Sequence, residues 1–196
     1  MATAGTAETA TDRERLIALV RQRSYRKGQF TLASGRTSPY YVNLKPTMMQ
    51  AEGAHLIGKL VLDALEVERE SERVDYVGGL EMGAVPIASV VAALSHSAGR
   101  PVSAFFVRKA AKDHGTKSLV EGLSADESLR GKRLVVLEDV TTTGGSALKA
   151  VAALQAEGAV IARVLTIVDR QEGAAEAFAA AGVPFGAILT LADLDR

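Results

Sequence analysis

The residues best able to do chemistry lie in one run, Arg133-Leu134-Val135-Val136-Leu137-Glu138-Asp139-Val140-Thr141-Thr142-Thr143-Gly144-Gly145-Ser146. An apolar strand carries two adjacent carboxylates to its end, and a small, hydroxyl-rich turn then runs into a helix beginning near Gly145 and Ser146. Backbone amides of a Thr/Gly turn at a helix N-terminus cradle an anion, and the hydroxyls of Thr141, Thr142 and Thr143 add donors around it. Two acids beside such a cradle repel a bare phosphate. They make sense if they face sugar hydroxyls or a metal-bridged group, so a phosphorylated sugar meets both demands. The plainer reading, a helix-capping loop after a solvated turn, does not explain why strand, acid pair and Thr/Gly turn follow one another. The commoner nucleotide loops, G-x-x-x-x-G-K-[ST] and G-x-G-x-x-G after a strand, are absent.

Within a second segment, 106–122, the stretch from Arg108 to Lys117 holds Arg108, Lys109, Lys112, His114 and Lys117 against Asp113 in a chain otherwise balanced in charge. Such a local excess suits a pyrophosphate leaving group, whose growing charge needs donors that close over it and exclude water. His114 alone carries no argument; its place in the basic segment does. Arg170 follows a strand in Val168-Asp169-Arg170-Gln171-Glu172-Gly173, and its planar fork matches a carboxylate. Tyr40 and Tyr41 fit two roles equally, stacking on a ring ligand or packing a hairpin. Gly78-Gly79-Leu80-Glu81-Met82-Gly83-Ala84-Val85-Pro86 reads either as a ligand-binding turn or as a plain strand-to-helix connection.

These segments must be positioned by a scaffold. Apolar runs of strand length occupy 74–79, 102–107, 134–137, 160–168 and 185–189. Between most of them lie alanine-rich helical segments, 84–98, 147–157 and 174–181, closed by Gly99, Gly158 and Gly182. Alternation of buried strands with helices predicts an α/β fold with a parallel sheet flanked by helices. In such sheets ligands gather at the carboxyl ends of the strands, where the segments above fall. Ahead of this scaffold the sequence predicts a tail over 1–11, a helix capped by Asp12 that stops before Gly28, and a hairpin outside the main sheet, with strands at 30–32 and 40–42. A further helix is expected over 51–65, with the charged stretch 66–75 as its solvated end and the following loop.

The 196 residues fit one domain, 1–196, with an N-terminal flap over 28–43. Lysine plus arginine and aspartate plus glutamate each total 23, so nothing global points to nucleic acid or to a membrane surface. There is no cysteine, which excludes disulfides, thiolate catalysis and cysteine-ligated zinc. The opening residues lack the basic segment and apolar core of a signal peptide, and the longest uncharged apolar run, 84–94, is too short to span a bilayer. A cytoplasmic protein is expected.

With these residues in place, the sequence resembles the type I phosphoribosyltransferases, whose fingerprint is a hydrophobic strand, two acids and a Thr/Gly loop that holds a 5′-phosphate. Segment 106–122 resembles the catalytic loop of the orotate phosphoribosyltransferases in that family. Phe30-Thr31-Leu32, Ser34-Gly35 and Ser38-Pro39-Tyr40-Tyr41 match their N-terminal flap, Arg170 matches their orotate-binding arginine, and 78–86 corresponds to their pyrophosphate-binding turn. Two positions depart from the pattern: Ala33 and Gly83 stand where some members carry lysine. The likeness runs from about Gly28 to Gly173, with the motifs in the family's order.

The resemblance implies the type I phosphoribosyltransferase fold with a small N-terminal hood. It implies transfer of the phosphoribosyl group of phosphoribosyl diphosphate (PRPP) to orotate, giving orotidine 5′-monophosphate and pyrophosphate in pyrimidine biosynthesis. Carried onto this chain, PRPP would meet Arg108, Lys109, Lys112, His114, Glu138, Asp139, Val140, Thr141, Thr142, Thr143, Gly144, Gly145 and Ser146. Thr142 and Arg170 would hold orotate. Lys112, His114 and Asp139 would serve catalysis, with Lys112 or His114 as proton donor. Magnesium is the implied cofactor, bridging substrate oxygens with few direct protein ligands. A homodimer with shared sites is also implied. Two rivals keep the same pocket: an enzyme of this fold acting on another base, such as a purine, and a PRPP-sensing regulator of transcription. Arg170 and the flap speak against the first. The lack of a basic face or a helix-turn-helix appendage speaks against the second.

Overall fold

In the computed structural model, which describes residues 10–31, 35, 37–66, 73–110 and 119–196, Thr11 rather than Asp12 caps helix α1 (Asp12–Arg23). Thr11 Oγ1 accepts from the Glu14 amide at 3.3 Å, and Glu14 Oε2 accepts from the Thr11 amide at 2.8 Å. That reciprocal box needs a glutamate three residues after the cap, which Thr11 has and Asp12 lacks. Asp12 lies in the first helical turn and pairs with Lys59 Nζ at 2.9 Å.

The expected hairpin is present as strands β1 (Tyr25–Thr31) and β2 (Thr37–Val42), an antiparallel pair separate from the main sheet. Its first strand starts earlier than the apolar text suggests, because α1 ends at Arg23 and Tyr25 already pairs with Val42. The register shifts between Lys27 and Phe30. After the hairpin come α2 (Lys45–Met48) and α3 (Ala51–Glu66).

The main sheet comprises β3 (Tyr76–Leu80), β4 (Ser103–Val107), β5 (Val120–Glu121), β6 (Arg133–Thr141), β7 (Val160–Asp169) and β8 (Phe185–Thr190), in the order β5-β4-β3-β6-β7-β8. All neighbours run parallel except β5, which pairs antiparallel with β4 at the edge. Helices α4 (Ala84–Ser97), α5 (Gly145–Ala156) and α6 (Ala174–Ala180) connect the strands, and α7 (Leu191–Leu194) follows β8. Gly99, Gly158 and Gly182, at φ +74°, +85° and +68°, end three helices as the sequence predicts. β5, α2 and α7 escaped sequence reading because segments of two to four residues show no period.

Alternation along β6 builds a core on each face of the sheet. Val135 and Leu137 pack with Leu16, Leu56, Ile87 and Val91, whereas Leu134 and Val136 pack with Ala147, Val151, Leu154 and Phe178. β6 extends past the apolar run 134–137 because β7 keeps pairing with it, Val140 opposite Val168 and Thr141 opposite Asp169. The acid pair therefore lies inside a strand, not after one. At the opposite end of the chain, Arg21 donates to the carbonyls of Leu194 and Asp193, and Tyr25 Oη donates to Asp195 Oδ1 at 2.6 Å, so α7 is fastened to α1 and to the root of the hairpin. Among the described residues no helix is long and apolar enough to cross a membrane.

Candidate active site at the split of the sheet

The ladder between β3 and β6 stops at the pair Gly78–Val136, while β6 and β7 stay paired through Thr141. The crossover from β3 through α4 leads to β4 on one side, and that from β6 through α5 leads to β7 on the other. A crevice at such a reversal of strand order is where open α/β sheets bind ligands. Glu138, Val140 and the run from Thr141 to Ala147 line an open cavity there. Gly144, at φ +79°, is the N-cap of α5; no side chain caps the helix and its first turn holds no acid. Its amide donors and the positive end of its dipole thus remain available to an anion. A side chain at Gly144 would be excluded twice, by the left-handed backbone and by the Phe178 ring 2.9 Å from where a Cβ would stand.

Two polar atoms in this wall, Glu138 Oε1 and Thr141 Oγ1, are buried without a hydrogen-bond partner among the described residues. Unmatched buried polar atoms are costly, and a ligand hydroxyl or phosphate oxygen would satisfy them. Burial first, and the neighbouring Asp139 charge second, push the Glu138 carboxyl up to about 7.

Successive strand residues point to opposite faces, so Asp139 looks the other way, toward the turn after β3. Its Oδ1 accepts from the Val140 amide at 2.9 Å, and Oδ2 lies 3.9 Å from Lys45 Nζ on α2. A Cβ at Gly83 would stand 2.5 Å from Asp139 Oδ1. The turn, in which the Glu81–Met82 peptide is cis, thus has no room at Gly83 for the side chain some relatives carry unless Asp139 moves. The other departure, Ala33, lies outside the described residues, as do the tail residues 1–9 and 67–72 of the charged stretch.

Arg108 and Lys109 leave the end of β4. The Arg108 amide donates to the Leu119 carbonyl at 2.8 Å, its guanidinium lies 3.6 Å from Glu121 Oε1, and the Lys109 amide donates to Glu81 Oε1 at 3.0 Å. The basic segment is therefore rooted against the turn that faces Asp139. Lys112, His114 and Lys117 lie outside the described residues.

Arg170, only 6% exposed, begins the turn after β7, and its amide donates to the Thr141 carbonyl at 2.9 Å, beside the cavity wall that includes Thr142. Its guanidinium makes an ion pair with Glu172 Oε1 at 2.6 Å and reaches Ser38 Oγ at 3.4 Å, and its Cζ sits 5.0 Å from the centre of the Tyr40 ring. Tyr40 Oη donates to the same Glu172 oxygen at 3.2 Å. The two tyrosines thus take different parts: Tyr41 packs against Phe30 with ring centres 5.6 Å apart, while Tyr40 covers Arg170. Sequence reading assigned no role to Lys45, Ser38 or Glu172. Lys45 gave no signal at all, and the other two meet Arg170 only through the docking of the hairpin on the sheet.

The phosphoribosyl transferase domain family matches residues 47–181. The chain is 57% identical over 176 residues to the orotate phosphoribosyltransferase of Bradyrhizobium sp. strain BTAi1, covering 90% of this chain and 93% of that one. It also resembles the crystal structure of Mycobacterium tuberculosis H37Rv orotate phosphoribosyltransferase in complex with Fe(III) dicitrate, with TM-score 0.80 and 42% identity, covering 95% of this chain and 100% of the other. The same mycobacterial enzyme in complex with 5-phospho-alpha-D-ribosyl 1-diphosphate aligns with TM-score 0.76 and 39% identity, again over 95% and 100% of the two chains.

Proposed function

We propose, for a chain that belongs to the phosphoribosyl transferase domain family and within it to the orotate phosphoribosyltransferases, that it transfers the phosphoribosyl group of PRPP to orotate, releasing pyrophosphate and orotidine 5′-monophosphate for pyrimidine nucleotide synthesis. The observation that carries this reading is the cavity at the sheet split, where the open N-terminus of α5, the unpartnered Thr141 hydroxyl and the unpartnered Glu138 carboxyl meet. An anion cradle beside an acid is what a phosphorylated sugar requires.

In this reading the 5′-phosphate rests on Val140 to Ser146. Glu138 and Asp139 face the ribose from the two sides of β6 and favour the positive charge that develops on the sugar as the bond to pyrophosphate breaks. Arg108, Lys109, Lys112 and His114 neutralise the departing pyrophosphate, and Lys112 or His114 supplies a proton. Thr142 and Arg170 orient orotate so that a ring nitrogen faces the anomeric carbon.

Magnesium fits the donor set. Among the described residues no three carboxylate or imidazole groups converge, but Glu138 Oε1 lacks a partner and Asp139 lies across the strand from it. Such an ion would be held mostly by substrate oxygens with these two acids nearby, and would supply charge neutralisation of the pyrophosphate.

The test is loss of orotate absorbance on adding PRPP, with magnesium and with excess chelator, run beside uracil, adenine and hypoxanthine. Magnesium-dependent consumption of orotate with release of pyrophosphate is expected. Turnover of a purine in place of orotate, or PRPP binding without turnover of any base, would overturn the assignment.

A further inference from the structure

We infer that Glu172 is the positioning residue of the base subsite, fixing the guanidinium of Arg170 and tying it to the hairpin through Tyr40 without itself touching substrate. The inference rests on the proposed role of Arg170 toward orotate.

A guanidinium as buried as that of Arg170 needs a counter-charge, and Glu172 Oε1 supplies one at 2.6 Å. The same oxygen receives the Tyr40 hydroxyl at 3.2 Å, while the Tyr40 ring lies 5.0 Å from Arg170 Cζ. The guanidinium is thereby held on one edge by a carboxylate and across one face by the ring that the carboxylate also fixes. Ser38 Oγ, 3.4 Å from Nη2, adds a second contact from the hairpin. Arg170 Nε is buried without a partner among the described residues, a donor that these contacts orient but do not use.

The backbone is shaped for this arrangement. Gln171 adopts φ +57°, uncommon for a residue with a side chain, and its amide donates to Asp169 Oδ1 at 2.8 Å. Gly173 follows at φ +97° and opens α6. The left-handed kink sits between Arg170 and Glu172, in the stretch that brings their side chains together, and the Arg170 amide is bonded to the Thr141 carbonyl. Glu172 therefore joins three parts of the site: the hairpin, the turn after β7 and, through Arg170, the wall of the cavity.

The test compares wild type, Glu172→Ala, Glu172→Gln and Tyr40→Phe, measuring kcat and KM for orotate and for PRPP, with melting curves to confirm that each variant is folded at the assay temperature. Glu172→Ala should raise the orotate KM about tenfold, and Glu172→Gln, which keeps the acceptor oxygen, only a few-fold. The PRPP KM should stay within about twofold in both. Tyr40→Phe should raise the orotate KM alone but add little to Glu172→Ala, because both break one unit. Should Glu172→Ala fail to fold, the Gln and Phe variants and their combination carry the same comparison. A fall in the orotate KM would make Glu172 a competitor for Arg170. Equal changes in both KM values, or additivity with Tyr40→Phe, would make it a general structural residue. Each of these overturns the inference alone, whereas a wild type that does not consume orotate overturns the proposed function and this inference together.

Discussion

The Glu138 carboxyl has one oxygen sealed from solvent without a partner and a second acid next to it in the strand, and its pKa is pushed from 4.5 up to about 7. The folded state thus binds this proton more tightly than the unfolded state does. The sign follows: its contribution to stability is fully present below the unfolded value near 4.5 and is lost as pH rises through about 7. Glu138→Gln should melt above wild type at about pH 8, by at most a few kcal/mol, and the difference should shrink toward about pH 5. The acidic limb of kcat/KM for PRPP should lie near pH 7 in wild type and vanish in the variant. For Arg170→Ala, breaking a buried pair should cost roughly 2 to 4 kcal/mol in the free energy derived from the orotate KM, with far less effect on that for PRPP. Steady-state kinetics with each substrate varied in turn would show it; equal effects would remove Arg170 from the base subsite. The acids, the Thr/Gly run and Arg170 were legible because each stands in a short contiguous motif at the end of an apolar run. Lys45 was not, since its nearness to Asp139 arises from α2 packing against α1 and α3, across some ninety residues of sequence, and no local pattern marks it.

At the scale of elements, the anion cradle depends on how β6 hands over to α5. Gly144 makes that handover with a left-handed backbone under the Phe178 ring. Gly144→Ala should destabilise the protein by about 1 to 3 kcal/mol, measured by urea unfolding, and should weaken PRPP binding more than orotate binding. A variant as stable and as tight as wild type would mean that α5 starts elsewhere when ligand is bound. The parallel core strands and the helices ending at glycine were legible because buried strands write short continuous apolar runs, and alanine-rich segments closed by glycine stand between them. The full length of β6 was not. Its outer half carries Glu138 and Asp139, which read as the strand's last residues, and Thr141, which read as turn, and it is a strand because β7 pairs with it to the end.

At the scale of the whole molecule, the basic segment rooted at Arg108 and the acid pair on β6 need not serve one pocket of one chain. We propose the homodimer with shared sites that the family resemblance implies, with Arg108, Lys112 and His114 reaching the neighbour's site and Glu138 to Ser146 serving their own. Lys112→Ala and Asp139→Asn, each nearly inactive alone, should then complement when remixed. About half of randomly formed dimers are mixed, each with one intact pocket of two, so about a quarter of wild-type activity should return. With subunit exchange proven by mass or tag pull-down, no recovery would confine Lys112 to its own chain. The division of β6 has a consequence of another kind. Among the described residues, Leu134 to Val136 are laddered to strands on both sides, whereas from Glu138 onward the strand is laddered to β7 alone and Thr142 to Gly144 lie beyond any ladder. Backbone amides of the first group should take up deuterium only when the whole protein opens, and those of the last by local fluctuation. The acid pair sits at the boundary between these regimes. In exchange measured by mass spectrometry, PRPP should slow uptake in the peptide that begins after Asp139 and leave the one that ends at Leu137 unchanged. Protection spread evenly along the strand would mean that ligand stiffens the sheet as a whole, not the edge of its split.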